Sequence, residues 1–349
     1  MEATTLNDAI LSRADREAAA AHEERRGSFA SLRMTKVPDL SIVIVTWNSA
    51  RWIGRCLDAI PAACEGLEYE VVVYDNASSD GTLRLIDDGA AVMPSKTNDG
   101  FAAATNRAIN TTRGRYAFLL NPDCELGPRA LTILFDFLEV HPEAAAAVPL
   151  LTDDGGRSQR EFQFRRIPTF SILAMQILAI DKLWPANRWT SYYSYRGVDM
   201  TGPVQVDQPA AAAMLIRRSA YDTVGPLDER FAPAWFEDVD YCQRLAKAGL
   251  AIYAVPPAHA RHFGGSSLEH LGLGGFLDVW YGNMWRYARK WFAPGQAEAL
   301  RWTIIAGMLL RMPAAIAGIA HRDAGRWNAV RAYTGVLKRA FNRWGEPPH

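Results

Sequence analysis

Residues 41–48, Ser-Ile-Val-Ile-Val-Thr-Trp-Asn, decide the fold. Ile42 to Val45 is an unbroken β-branched run, with no polar residue at every second position. A strand that wets one face alternates; a strand that does not is covered on both faces, as in a parallel sheet between helices. Beyond it, Asn48 or Ser49 can cap a helix, because Trp52, Ile53, Cys56, Leu57 and Ile60 keep helical spacing. The pattern then recurs. Glu70 to Asp75 is a second strand and Thr82 to Asp87 opens a helix. Phe101 to Thr111 is a helix, Arg115 to Leu120 a strand, Arg129 to Val140 a helix and Ala145 to Leu151 a strand. Such alternation predicts a doubly wound α/β domain with ligands at the carboxyl ends of the strands.

The rest of the chain is less regular. Residues 155–205 are rich in Arg and aromatics without a period, which predicts loops and short helices that carry specificity. A strand at Ala210 to Ile216, a helix from Glu237 to Ala248 ended by Gly249, and a strand at Ala251 to Val255 follow. Residues 1–37 form a polar extension without the apolar core of a signal peptide.

Across 349 residues the 38 basic and 38 acidic side chains cancel, so no nucleic-acid partner is expected. The four cysteines lack CxxC spacing or His partners, which suits a reducing, cytoplasmic setting. From Tyr281 onward eleven Lys or Arg face three acids. The apolar window Trp302 to Ala320 holds Arg311 and Pro313 near its middle, so it predicts a buried or interfacial helical hairpin, not a transmembrane helix. It suits a helix closing the domain and, equally, one resting on an anionic membrane surface at the inner face of the plasma membrane.

Every polar cluster of interest falls where a strand ends. They are Thr46-Trp47-Asn48, the turn Asp75 to Thr82, Asn98-Asp99-Gly100 with Asn106, and Asn121-Pro122-Asp123. One such cluster is a helix cap or an Asx-turn; four along one sheet edge suggest the floor of a binding site. The first turn has no glycines and no Walker lysine, which disfavours NAD and a P-loop. A bound diphosphate would then need another counter-charge, and an Asp at a strand tip holding Mg²⁺ or Mn²⁺ supplies it. On this reading Pro122 stops the strand and helps project Asp123. A second cluster, Trp235-Phe236-Glu237-Asp238, puts carboxylates behind large aromatics, where partial desolvation suits a general base. Acids in a first helical turn also simply favour the helix dipole. His262, followed by Gly-Gly-Ser-Ser, fits a phosphate or metal contact.

Six stretches in order, "SIVIVTWNSARWIGRCLDAI", "VVVYDNASSDGT", "NDGFAAATNRAI", "YAFLLNPDCEL", "AAAMLIRRSAYDTVGPLDERFAPAWFEDVDYCQRLAKAG" and "HFGGSS", resemble the family 2 glycosyltransferases, and within them the rhamnosyltransferase-type members. The resemblance covers residues from about 40 to 290. It implies a GT-A fold over 38–270, with a nucleotide-binding half (about 38–150) and an acceptor half (about 151–270), then a helical, basic region, 271–349. It implies that Thr46, Asn48 and Asp75 hold the base and ribose, with Asn76, Asp80, Asn98 and Gly100 around them. Asp123 stands in the place of the last Asp of the metal-binding DxD, and Asn121 replaces its first. His262 matches a metal or diphosphate contact. Asp238 matches the general base, with Glu237 a close rival. The implied reaction is an inverting transfer of a sugar, first of all L-rhamnose from dTDP-L-rhamnose, to a saccharide or lipid-linked saccharide; UDP- and GDP-sugars use similar pockets.

Other classes fit less well. A nucleotidyltransferase needs a Gly-rich basic loop that "TWNSARW" lacks. A processive synthase needs Gln-x-x-Arg-Trp, whereas four residues separate Gln296 from Arg301. A non-catalytic sugar- or nucleotide-binding module would not need Asp123, Asp238 and His262 together.

Overall fold

Strand β1 (Leu40–Thr46) is buried at all seven positions, and its two faces feed different cores. Leu40, Ile42 and Ile44 pack with helices α1 (Ile53–Ala63) and α3 (Ala130–Val140). Val43 and Val45 pack on the opposite side with α2 (Phe101–Thr111) and α5 (Glu237–Lys247). This double coverage is the physical reason for the unbroken apolar run. A computed structural model describes residues 37–264, 266–319 and 325–345; of 266–270 only the backbone is described. The expected extension over 1–37 lies, apart from Val37, outside the described residues. From Pro38 on, the described residues form one compact unit.

Around β1 the described residues build a nine-stranded mixed sheet. The other strands are β2 (Tyr69–Asp75), β3 (Ala91–Pro94), β4 (Tyr116–Leu120), β5 (Cys124–Leu126), β6 (Ala144–Thr152), β8 (Val204–Val206), β10 (Ala213–Arg217) and β11 (Ala251–His262). The order is β3-β2-β1-β4-β10-β6-β11-β5, with β8 on β11; β7 (Phe164–Arg165) and β9 (Gln208–Pro209) pair separately. β1, β2, β3 and β4 run parallel, whereas β10 lies antiparallel between β4 and β6. The chain winds outward from β1 to β3 and returns to the other side of β1 at β4. That reversal opens a crevice at the carboxyl ends of β1 and β4, where ligands sit in such sheets.

Several expectations need correction. Asn48 and Ser49 do not cap α1: the residue before the helix is Trp52, and the Trp52 and Ile53 amides donate to the Ser49 carbonyl at 2.9 and 3.0 Å. Thr82 onward is only a short 3₁₀ turn, Thr82–Leu85, because Leu83 and Leu85 find no core and stay exposed. β3 had no signature, being a four-residue edge strand that is largely exposed and ends on Pro94. The strand after Ala210 begins only at Ala213. β11 continues past Pro256 and Pro257, where its register against β6 shifts, and so reaches His262.

The C-terminal region is helical, packed around a third core that includes Trp285, Tyr287 and Tyr333. It comprises α6 (Ser266–Trp291, broken at Gly272), α7 (Pro294–Ile316) and α8 (Arg326–Phe341). α7 is one helix, not the expected hairpin. Pro313 sits in its last turn, and the Arg311 guanidinium donates to the Gln176 and Ile177 carbonyls at the end of α4 (Phe170–Ile177). The charge that breaks the apolar pattern therefore caps a neighbouring helix.

Candidate active site

At the carboxyl ends of β1 and β2 the backbone is laced by side chains. Asp75, buried, accepts from Thr46 Oγ1 at 2.8 Å and from the Ser78 amide at 2.9 Å. Asn48, at φ 51°, accepts from the Ser79 amide at 2.8 Å, and Asp80 accepts from the Ala50 and Thr82 amides, both at 3.0 Å. Asn76 joins this frame to the next loop: its Oδ1 accepts from the Asp99 amide at 3.1 Å and its Nδ2 donates to the Gly100 carbonyl at 3.4 Å. Gly100 sits at φ 84°, and a Cβ there would lie 3.1 Å from the Pro233 carbonyl oxygen. Only glycine allows that approach without strain.

β4 stops at Leu120, and Asn121–Cys124 forms a turn with Pro122 at its second position; the Cys124 amide donates to the Asn121 carbonyl at 3.1 Å. Proline presets φ for that position, which delivers Asp123 to the crevice. β11 pairs His262 with Cys124, and the Phe263 amide donates to the Asp123 carbonyl at 3.0 Å. The imidazole and the carboxylate are thereby brought together, with His262 Nε2 and Asp123 Oδ1 3.6 Å apart.

Gln159 fixes the chemistry of that pair. Its Nε2 donates to the His262 carbonyl at 2.8 Å, so its Oε1 at 3.0 Å from His262 Nδ1 must accept. Nδ1 therefore carries the proton, and burial, only partly opposed by Asp123, lowers the ring's pKa and keeps it neutral. A lone pair on Nε2 then faces a carboxylate oxygen. Two acceptors so placed suit a cation between them; carboxylate with phosphate oxygens and water suits Mn²⁺ or Mg²⁺, and the imidazole nitrogen favours Mn²⁺ of the two. Cys124 lies within the same cluster. Burial pushes its thiol well up, and it donates to the Ala212 carbonyl at 3.4 Å, so it does not fit as a thiolate ligand.

Opposite stand the acids. Trp235 and Phe236, at φ 70° and 75°, turn the chain into α5, whose first two residues are Glu237 and Asp238. Asp238 accepts from the Val239 amide at 2.8 Å. Burial raises its pKa above the usual Asp range, while the Val239 and Ala211 amides pull the other way.

Thr46, Asn76, Asn98, Asn121, Asp123, Glu237, Asp238 and His262 all line one cavity of about 300 Å³. Asn48, Asp75, Asp80 and Gly100 do not line it; they hold the loops that do. Asn106 belongs elsewhere, contrary to its expected place in the pocket. Buried in α2, it donates to the Leu227 carbonyl and Glu229, and accepts from the Leu227 amide and Tyr221 Oη. A buried amide with four satisfied bonds is a clamp between elements. Gln159 and Phe162, which stacks on His262 at 5.6 Å, were missed, as was Ala211; Trp235, of the expected aromatic pair, lines the cavity. The first two fall in the aperiodic stretch 155–205, where no spacing marks a contact.

The model of the glycosyl transferase family 2 matches residues 41–225, more than half the chain, and the chain belongs to that family. It is a glycosyltransferase of GT-A fold. The chain is similar to the N-acetylglucosaminyl-diphospho-decaprenol L-rhamnosyltransferase of Mycobacterium tuberculosis, 29% identical over 292 residues, covering 78% of this chain and 91% of that one. Rhamnosyltransferase WbbL of Escherichia coli K12 is 26% identical over 231 residues, covering 64% of this chain and 82% of that one. Among solved structures, the mannosyltransferase PcManGT of Pyrobaculum calidifontis, in complex with GDP-Man and Mn2+, shares the fold at a TM-score of 0.51 and 16% identity, over 97% of this chain and 98% of that one.

Proposed function

We propose that this chain transfers a sugar from a nucleotide-diphosphate donor, L-rhamnose from dTDP-L-rhamnose first, to a hydroxyl of a saccharide or lipid-linked saccharide in cell-surface glycan synthesis, with inversion. The observation that carries this reading is the meeting, in one cavity, of the Asp123–His262 acceptor pair with the Glu237–Asp238 pair. The rhamnosyl name of the relatives supports the sugar.

Asp123 and His262 would hold Mg²⁺ or Mn²⁺. When bound, such an ion acts as a Lewis acid towards the departing diphosphate. Thr46, held by Asp75, and Asn76, which joins the Asp99–Gly100 loop, form the nucleotide side of the site, with Asn48 and Asp80 bracing the turns beside them. Asp238 takes the proton of the acceptor hydroxyl. The hydroxyl oxygen then bonds to the anomeric carbon as the bond from that carbon to the diphosphate breaks, and the nucleoside diphosphate leaves with the bonding pair. Attack comes from the face opposite the leaving group, so configuration inverts without a covalent intermediate.

Nucleoside diphosphate release across a panel of dTDP-, UDP- and GDP-sugars, with Mn²⁺ or EDTA, tests the reading. Turnover is expected with dTDP-L-rhamnose and to be lost in EDTA. Preference for a UDP- or GDP-sugar overturns the donor; donor binding without turnover of any sugar, acceptor present, favours the non-catalytic module.

A lipid-linked acceptor places the reaction at the cytoplasmic face of a membrane. α7 is, among the described residues, the one helix long and apolar enough to cross a membrane, with 39% of its most apolar window buried. Its Trp302, Leu309, Leu310 and Ile316 are exposed, and Arg326, Arg331, Lys338 and Arg339 follow on α8. Apolar side chains beside basic ones suit an anionic lipid surface. The chain is expected to sediment with phosphatidylglycerol vesicles, and Leu309→Ser/Leu310→Ser to weaken this; sedimentation that ignores both the anionic lipid and the substitutions removes the idea.

A further inference from the structure

Glu237 is out of place for a residue with no assigned partner. It is 6% exposed, and its Oε2 is fully buried without a hydrogen-bond partner. Leaving a buried polar atom unpaired is destabilising, so its presence calls for an explanation. Two consecutive bulky residues at positive φ lead into it, and such strain persists only where the surroundings enforce it. Here they do: Trp235 packs on Phe276 and Trp280, and Phe236 on Trp280 and Tyr287. This aromatic wall fixes the start of α5 and sets the Glu237 side chain at the cavity. The missing partner can therefore enter with a ligand.

The two neighbouring acids differ in ways that divide their work. Asp238 is half-buried and held by backbone amides, which favour its ionised form. Glu237 is deeper, only its own backbone amide reaches its carboxyl, and burial followed by the charge of Asp238 pushes its pKa well up. Of two close carboxyls the deeper one with fewer donors keeps the proton. A protonated carboxyl offers one donor and one acceptor, the complement of a sugar hydroxyl.

We propose that Glu237 is a specificity-determining residue, whose carboxyl hydrogen-bonds a hydroxyl of the transferred sugar, and that it is not the base. The deeper acid meets the donor sugar, which lies against the diphosphate, while the more exposed Asp238 meets the incoming acceptor. This rests on the glycosyl-transfer reading with Asp238 as base. It predicts discrimination by differential pairing, since a site built to hydrogen-bond a hydroxyl rejects an analogue that lacks it.

The test compares the wild type, Glu237→Gln, Glu237→Ala and Asp238→Asn with the preferred nucleotide sugar and its singly deoxygenated analogues, reading kcat, KM and melting temperature. Gln keeps a donor and an acceptor in the same shape, so Glu237→Gln is expected to melt like the wild type and keep kcat within about tenfold. Glu237→Ala should lose about ten- to a hundredfold in kcat/KM for the full sugar. It should lose much less for the analogue deoxygenated at the contacted position, so that the preference collapses. If Glu237→Gln falls as far as Asp238→Asn, Glu237 is the base and the proposal fails. Unchanged discrimination in Glu237→Ala overturns it as well, by leaving only a packing role. Wild type that neither binds nor turns over any nucleotide sugar overturns the transferase reading itself, and this proposal with it.

Discussion

Asp238→Asn should lower kcat by about 10²–10⁴-fold, the span general-base catalysis contributes, while donor affinity changes little. The amide is isosteric and can still accept from the Val239 amide, so the fold of α5 should survive. What disappears is the capacity to take a proton. The pH profile carries the same assignment. Burial raises the Asp238 carboxyl above the usual Asp range. The base must be ionised, so kcat should fall as pH drops through that raised pKa, with an acidic limb above the one an exposed aspartate would give. In Asp238→Asn the limb should vanish along with most of the rate. Stopped assays of nucleoside diphosphate release from pH 4 to 9 would read both. A mutant within a few fold of wild type would move the role to Glu237.

The second large effect is expected at Asp123. Removing a metal ligand should cost at least the about 10–100-fold that even outer partners of a metal cost, so Asp123→Ala should weaken Mn²⁺ binding and turnover by about a hundredfold or more. Calorimetric titration with Mn²⁺ in the presence of the nucleoside diphosphate separates the two readouts. Gln159→Ala gives a smaller companion effect, because Gln159 only sets the tautomer of His262. If Asp123→Ala binds Mn²⁺ and turns over normally, the cation role assigned to that carboxylate is wrong.

Much of this was legible in the chain. The double-sided burial of β1 and β4 leaves unbroken apolar runs, so strands and winding are legible in the sequence. The ends of those strands marked the site, since Pro122 and the Asn/Asp-rich turns are local signals with local causes. The failures share a cause too. β3 is short and lies at a sheet edge, held by pairing rather than by pattern. β11 runs through two prolines that a one-dimensional reading takes for an end. Asn106 sits among polar cluster residues in sequence, yet its partners Leu227 and Glu229 are more than a hundred positions away, and only the fold shows that all its hydrogen-bonding capacity is used. Gln159 is the opposite case: an unremarkable glutamine that acquires a role only when β11 brings His262 beside it.

Single displacement demands that the acceptor oxygen arrive opposite the leaving diphosphate, primed by a side chain, with no glycosylated protein between. The anomeric configuration of the new linkage, read by NMR of product made from a donor of defined configuration, addresses that directly. Inversion at the anomeric carbon is the expected result; net retention would contradict it and require a covalent or front-face route that Asp238, acting as a base, does not provide.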